Sequence, residues 1–254
     1  MTLPRSLLLA TLTLTLTAAA GCANTSLDDA SPDGRLFVQP KKTIVLVHGA
    51  WGGSWAFRET DRLLTNDGWK VYRPSLTGQG ERVHLASPDI DLSTHIQDVV
   101  NEILYEDLHN VVLVGHSYGG MVITGVADRA TERIGKVVYL DAANPVNGQS
   151  LVDVSGPIIE AVRPMGETVD GVELVLLPAP GAAAFYGVTD PDDTAWMDAR
   201  LTGHPWRCFD TPLRLTNEEV ASAIPHFHIV CTSTLATRDK TLMAQARAAG
   251  RLWD

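Results

Sequence analysis

Four short apolar runs, TIVLV at 43–47, KVYRPSL at 70–76, VVLVG at 111–115 and KVVYL at 136–140, are separated by stretches long enough to hold a helix each. That alternation constrains the fold more than any other feature. Runs of four to seven β-branched and aliphatic residues read as buried strands, and strands returning in the same direction need a crossover. The intervening segments supply it: 56–66 is helical in character, and HIQDVVNEILYEDL (95–108) places Ile96, Val99, Val100, Ile103 and Leu104 on one helical face. A helix over 117–130 follows the third run. The reading is an α/β chain, a mostly parallel sheet with helices on both faces. With 254 residues and 45% apolar content, one substantial core is expected.

After Leu140 the alternation stops. Residues 141–220 carry many of the prolines, several glycines and short helical pieces such as TAWMDARL (194–201). This suits an insertion, set at about 145–215, forming a helical cap over the carboxyl edge of the sheet. HFHIVCT (226–232) returns to strand character and 235–250 to helix.

Residues 1–21 stand apart. Arg5, the apolar and Thr-rich run from Leu7 to Thr17 and the small residues before Cys22 read as a bacterial secretory signal peptide. Cleavage near Ala20 or Gly21 and lipidation of Cys22 both fit, so export to the periplasm or the exterior is expected, with Cys22 a candidate membrane anchor. Residues 22–41 read as a tether, and 42–254 as the folded domain. In that compartment a Cys208–Cys231 disulfide and two buried thiols are both open readings. The formal charge of −10, with only 20 Lys and Arg scattered along the chain, excludes a nucleic-acid partner. There is no CxxC pair, and His226 and His228, on one face of a strand, have no further ligand at a metal-binding spacing. No metal and no cofactor are expected.

The candidate chemistry lies in GHSYG, 115–119. A serine hydroxyl is a weak nucleophile unless it is aimed at a carbonyl beside a base. Gly115 and Gly119 permit a sharp strand-to-helix turn that projects Ser117 from its tip and leaves the Tyr118 amide at a helix N-terminus, where a developing oxyanion can be held. The loop after the first strand, HGAW at 48–51, offers the Ala50 amide as second donor. Asp141, directly after KVVYL, and Asp239, within a helix-like run, are the candidate acids. A strand end buries and fixes a carboxylate better than a helix turn, which favours Asp141.

TIVLVHGAWGGSWAF, SLTGQGERVHLASPDIDLSTHIQDV, VVLVGHSYGGMV, VVYLDAANPVNGQSL and WMDARLTGHPWRCFDTPLRL together resemble the α/β-hydrolase superfamily, in the branch of small bacterial esterases, plant methyl-ester esterases and hydroxynitrile lyases. The likeness runs from about Thr43 to the end. It implies a Ser-acid-His enzyme without metal or organic cofactor, nucleophile Ser117, oxyanion amides of Ala50 and Tyr118, and an acyl-enzyme route for small carboxylic esters. The serine counts against dehalogenases and epoxide hydrolases, which carry an aspartate at this turn. Hydroxynitrile lyases carry a threonine where Gly49 stands. The resemblance also implies a catalytic histidine in a loop after the last strand, beyond a segment like AGRLWD, so the sequence as given reads as truncated, poorly active, and without an assignable base. His48 and His116 support loop geometry on this likeness, and His84, His95 and His204 serve structure, with a pocket-lining place for His84 also open. A non-catalytic ligand-binding protein on the same fold is the rival reading. Trp196, Met197, Trp206 and Phe209 suit a small apolar substrate.

Overall fold

The computed structural model describes residues 42–176 and 182–231, with the strand residues Leu252 and Trp253. The proposed signal peptide, the tether with Cys22, the helix at 235–250 and Asp239 lie outside the described residues.

Strand β1 (Thr43–Val47) is followed by a 3-10 turn at Ser54–Phe57 and helix α1 (Arg58–Asn66), then β2 (Lys70–Tyr72), α2 (Leu92–Tyr105), β3 (Val111–His116), α3 (Gly119–Arg129) and β4 (Ile134–Leu140). After the insertion the sheet is completed by β8 (His226–Ile229) and β9 (Leu252–Trp253). All six strands are parallel, in the order β2-β1-β3-β4-β8-β9. The chain steps one way from β1 to β2 and the other way from β1 to β3. The carboxyl ends of β1 and β3 are therefore the topological switch point, the place where a parallel sheet of this kind builds a site.

Both sheet faces are covered, as the apolar runs required. Along β1, Val45 and Val47 point into the larger core with α2 and α3, while Ile44 and Leu46 join Phe57, Val114 and Leu64 on the other side. Helix α2 buries Leu92, Ile96, Val99, Val100 and Ile103. It starts three residues before the expected His95, because the Asp91 carboxylate accepts from the Thr94 amide in a reciprocal capping box. The expected strand at 70–76 ends at Tyr72. Pro74 has no N–H for the ladder, and the Leu76 amide is donated to His48 Nε2 instead (3.1 Å).

The insertion between β4 and β8 contains helices α4 (Leu151–Ser155), α5 (Pro157–Val162), α6 (Ala182–Phe185), α7 (Pro191–Asp198), α8 (Arg207–Asp210) and α9 (Glu218–Ser222). It is more than helical. A second, antiparallel sheet runs β5 (Glu167–Val169), β6 (Val172–Val175) and β7 (His204–Pro205). Cys208 is buried and Cys231 exposed, and the two are not joined, so neither of the two open readings, the disulfide or the pair of buried thiols, is found. No helix among the described residues is long and apolar enough to cross a membrane.

Candidate active site

The serine turn is held by close backbone approach. A Cβ on Gly115 would lie 2.5 Å from the Gly119 carbonyl oxygen, and one on Gly119 would lie 2.7 Å from the Val47 carbonyl oxygen. Any side chain at either position would force β1, β3 and α3 apart. Ser117 itself has φ of 53°, the left-handed region that costs a non-glycine residue on the order of 1 kcal/mol. Its backbone is pinned on both sides: the Ser117 amide donates to Leu140 O (3.4 Å), and its carbonyl accepts from the Gly120 and Ala143 amides, each at 3.0 Å. The side chain is neither buried outright nor fully exposed, and its hydroxyl takes no hydrogen bond from a described residue.

The HGAW loop lies directly on this turn. A Cβ on Gly49 would sit 2.9 Å from Ser117 Cβ, so a side chain there would press on Ser117. His48 orients the Gly49–Ala50 peptide. Its Nε2 accepts from the Leu76 amide, so Nδ1 carries the proton and donates to the Gly49 carbonyl at 2.8 Å. In a trans peptide the Ala50 N–H then points away from His48, and the bond to its carbonyl strengthens it as a donor. Neither the Ala50 nor the Tyr118 amide donates to a described residue, and Tyr118 stands at the N-terminus of α3, where the helix dipole adds positive potential. Trp51 follows with φ of 62°, held by its Nε1 to Val175 O (2.9 Å) and its carbonyl from the Thr202 amide (3.0 Å).

Asp141 sits one strand over, at the carboxyl end of β4, again left-handed with φ of 43°. Its amide donates to Ile229 O at 2.7 Å and its Oδ1 accepts from the Cys231 amide at 3.3 Å. These bonds fix the carboxylate at the same sheet edge as Ser117.

Three histidines lie beneath the turn, and burial and hydrogen bonding exclude them as the base. Burial holds His48 down to about 4. His95 Nε2 faces the Thr77 carbonyl (2.9 Å) and must donate to it, leaving Nδ1 to accept from the Tyr118 hydroxyl, also at 2.9 Å. Burial lowers His95, and lowers His204 far below the ordinary range. Gln79 donates to the Gly78 and Gly203 carbonyls, so its Oε1 faces His204 Nδ1 at 2.9 Å, a nitrogen on which the Trp51 amide also converges at 3.4 Å. His204 Nε2 is buried without a partner among the described residues, in a ring stacked on Phe209 at 4.4 Å. His95, His204 and Cys208 bring potential ligand atoms within 4.8 Å of one another. Yet both His95 nitrogens are already committed, and burial pushes the Cys208 thiol well up, away from the thiolate a metal requires. The group is a packed polar core. His84 is exposed, His116 lies beside the turn, and His226 and His228 pack on Tyr139, the latter stacked at 4.9 Å. Trp206 and Phe209 belong to the same buried cluster as Tyr118 rather than to an open wall, while Trp196 meets Trp55 edge to face at 5.2 Å.

The model of the "Alpha/beta hydrolase family" matches residues 44–254. A carbendazim hydrolyzing esterase of Nocardioides sp. (strain SG-4G) is 41% identical over 180 residues, 67% of this chain and 72% of that protein. The pFDCC methylesterase MES16 of Arabidopsis thaliana is 33% identical over 205 residues, 75% of this chain and 76% of its own. The chain spans only 28% of a putative chloroplastic methylesterase of the same plant. Among solved structures, an extracellular alpha/beta-hydrolase from a Paenibacillus species superposes with a TM-score of 0.64 at 27% identity, covering 75% of this chain and 78% of that one.

Proposed function

From the premise that the chain belongs to the alpha/beta hydrolase family, we propose that it is a serine hydrolase that cleaves small carboxylic esters through an acyl-enzyme on Ser117. Ser117 attacks the acyl carbon as a general base takes its proton. The carbonyl oxygen becomes an oxyanion between the Ala50 and Tyr118 amides, and collapse expels the alcohol. Water then attacks the acyl-enzyme by the same route in reverse roles and releases the acid. Asp141 orients the basic histidine, whose identity the described residues do not supply.

One observation carries the reading: a strained serine stands at the switch point of a parallel sheet beside two backbone amides that serve no other described acceptor. The esterase and methylesterase names of the relatives support small esters as substrates. Export, with Cys22 as an anchor when lipidated, remains part of the proposal on the strength of residues 1–22.

The test is p-nitrophenyl acetate hydrolysis by the wild type and by Ser117→Ala. Activity that the substitution removes supports the reading. A wild type inert to short esters and to serine-directed phosphonates would turn the assignment to a ligand-binding protein on this fold.

A further inference from the structure

Ala50 is held from two directions. On its amino side the Gly49 carbonyl takes the proton of His48 Nδ1, a contact made wholly within the sheet domain. On its carboxyl side the Ala50 carbonyl accepts the Tyr186 hydroxyl at 2.8 Å, across 136 positions of sequence. Tyr186 comes from the insertion, just past α6. Neighbouring bonds on Trp51 reach the insertion as well: its Nε1 donates to the Val175 carbonyl, its amide to His204 Nδ1, and its carbonyl accepts from the Thr202 amide. The residue that offers one of the two oxyanion amides is thus gripped by the core through one flanking peptide and by the cap through the other.

We propose that Tyr186 is a positioning residue for the oxyanion hole: its hydroxyl fixes the Ala50–Trp51 peptide and so aims the Ala50 N–H at the substrate oxyanion. This rests on the serine-esterase reading above. The physical reason is the cost of misdirection. An oxyanion donor acts through a preorganised position, and removing one outright costs about 10²–10³-fold in kcat. The loop has a reason to drift without the clamp, because Trp51 is a bulky residue at φ of 62°, a conformation that persists only when the surroundings impose it. Burial pushes the Tyr186 phenol up, so it stays a donor across the working pH range. Its ring lies 6.5 Å from the His116 ring, next to the nucleophile, which a phenylalanine would preserve. The insertion is then a part of the catalytic machinery as well as a cover over it. An ester small enough to leave the insertion untouched would still depend on it.

The experiment compares wild type, Tyr186→Phe and Ser117→Ala, with p-nitrophenyl acetate as substrate and phenylboronic acid as the tetrahedral mimic. Rates are taken at a temperature where every protein is fully folded by circular dichroism. Tyr186→Phe is expected to lower kcat about tenfold, a fraction of the loss of a whole donor, with KM within about twofold and the boronic acid Ki raised by about the same factor as kcat falls. A merely structural tyrosine would lower the melting temperature and leave kcat and Ki in place, and that result overturns the proposal. A change confined to KM also overturns it, since it would make Tyr186 a wall for the ground-state ester. A wild type with no more activity than Ser117→Ala overturns the esterase reading itself, and this inference with it.

Discussion

Acidification is the perturbation whose effect the structure lets one work through most fully. His48, His95 and His204 are each fully buried, and burial lowers each below the ordinary imidazole value. The folded protein keeps them neutral, whereas the unfolded chain protonates them near 6.5. Their contribution is therefore present above about pH 6.5 and is lost as pH falls through the folded values. For His48 the shift from 6.5 to about 4 corresponds to about 3 kcal/mol, at about 1.4 kcal/mol per unit. His48 alone, taking up a proton on unfolding, gives a slope of about 1.4 kcal/mol per pH unit between about pH 6 and 4.5, and His95 and His204 act in the same direction. For a domain with the usual 5–15 kcal/mol of stability, that is a large share lost by about pH 4.5. The carboxylates held down by partners, such as Glu59 and Asp107, lose those interactions at still lower pH and are fully exposed, so they do not blur this window. Urea unfolding followed by circular dichroism at pH 7.5, 6.5, 5.5 and 4.5 measures the slope directly. A stability that stays flat or rises from pH 6.5 to 4.5 would refute the argument that neutral histidines form the floor under the serine turn.

Other perturbations follow from the same contacts. Gly119→Ala drives a Cβ to 2.7 Å from the Val47 carbonyl oxygen and is expected to cost about 1–3 kcal/mol in urea unfolding, with esterase activity lowered at least tenfold. Asp128 is buried and accepts from the Thr216 and Asn217 amides at 3.0 and 2.6 Å, so Asp128→Ala should strand both amides and lower stability by about 2–4 kcal/mol without changing the kcat of the folded fraction. Asp141→Asn keeps its shape but not its charge; the kcat of p-nitrophenyl acetate hydrolysis should fall by roughly 10²–10⁴-fold with KM little changed. Iodoacetamide on the native protein should label exposed Cys231 and spare buried Cys208 until urea is added, as peptide mass spectrometry would read.

What could be read from residues alone followed the strength of the local signal. β1 and β3 are continuous β-branched runs buried on both faces, and their bounds lie where the apolar letters do. The serine turn was legible for a different reason: Gly115 and Gly119 mark a backbone crossing that admits no side chain. The second sheet was not expected, although it carries a signal. Asp170 and Gly171, at φ of 49° and 81°, form the Asp-Gly turn between β5 and β6 that favours a two-residue hairpin. Proline and glycine density around it masked the alternation. The start of α2 was misplaced because its signal is one side chain, Asp91, rather than a period. The bond from Tyr186 to Ala50 has no local trace at all, since partners so far apart in the chain meet only once the insertion is packed. Trp206 and Phe209 read as pocket lining for the same reason: composition cannot tell an aromatic wall from an aromatic core.

The central claim is that Ser117 is the nucleophile and that the Ala50 and Tyr118 amides receive the charge it creates. A crystal structure of the protein inactivated with a small alkyl fluorophosphonate tests both parts at once. The account predicts phosphorus bonded to Ser117 Oγ, with the phosphoryl oxygen about 2.7–3.1 Å from both amide nitrogens. An adduct on another residue, or a phosphoryl oxygen turned to solvent with either amide bonded elsewhere, would contradict it.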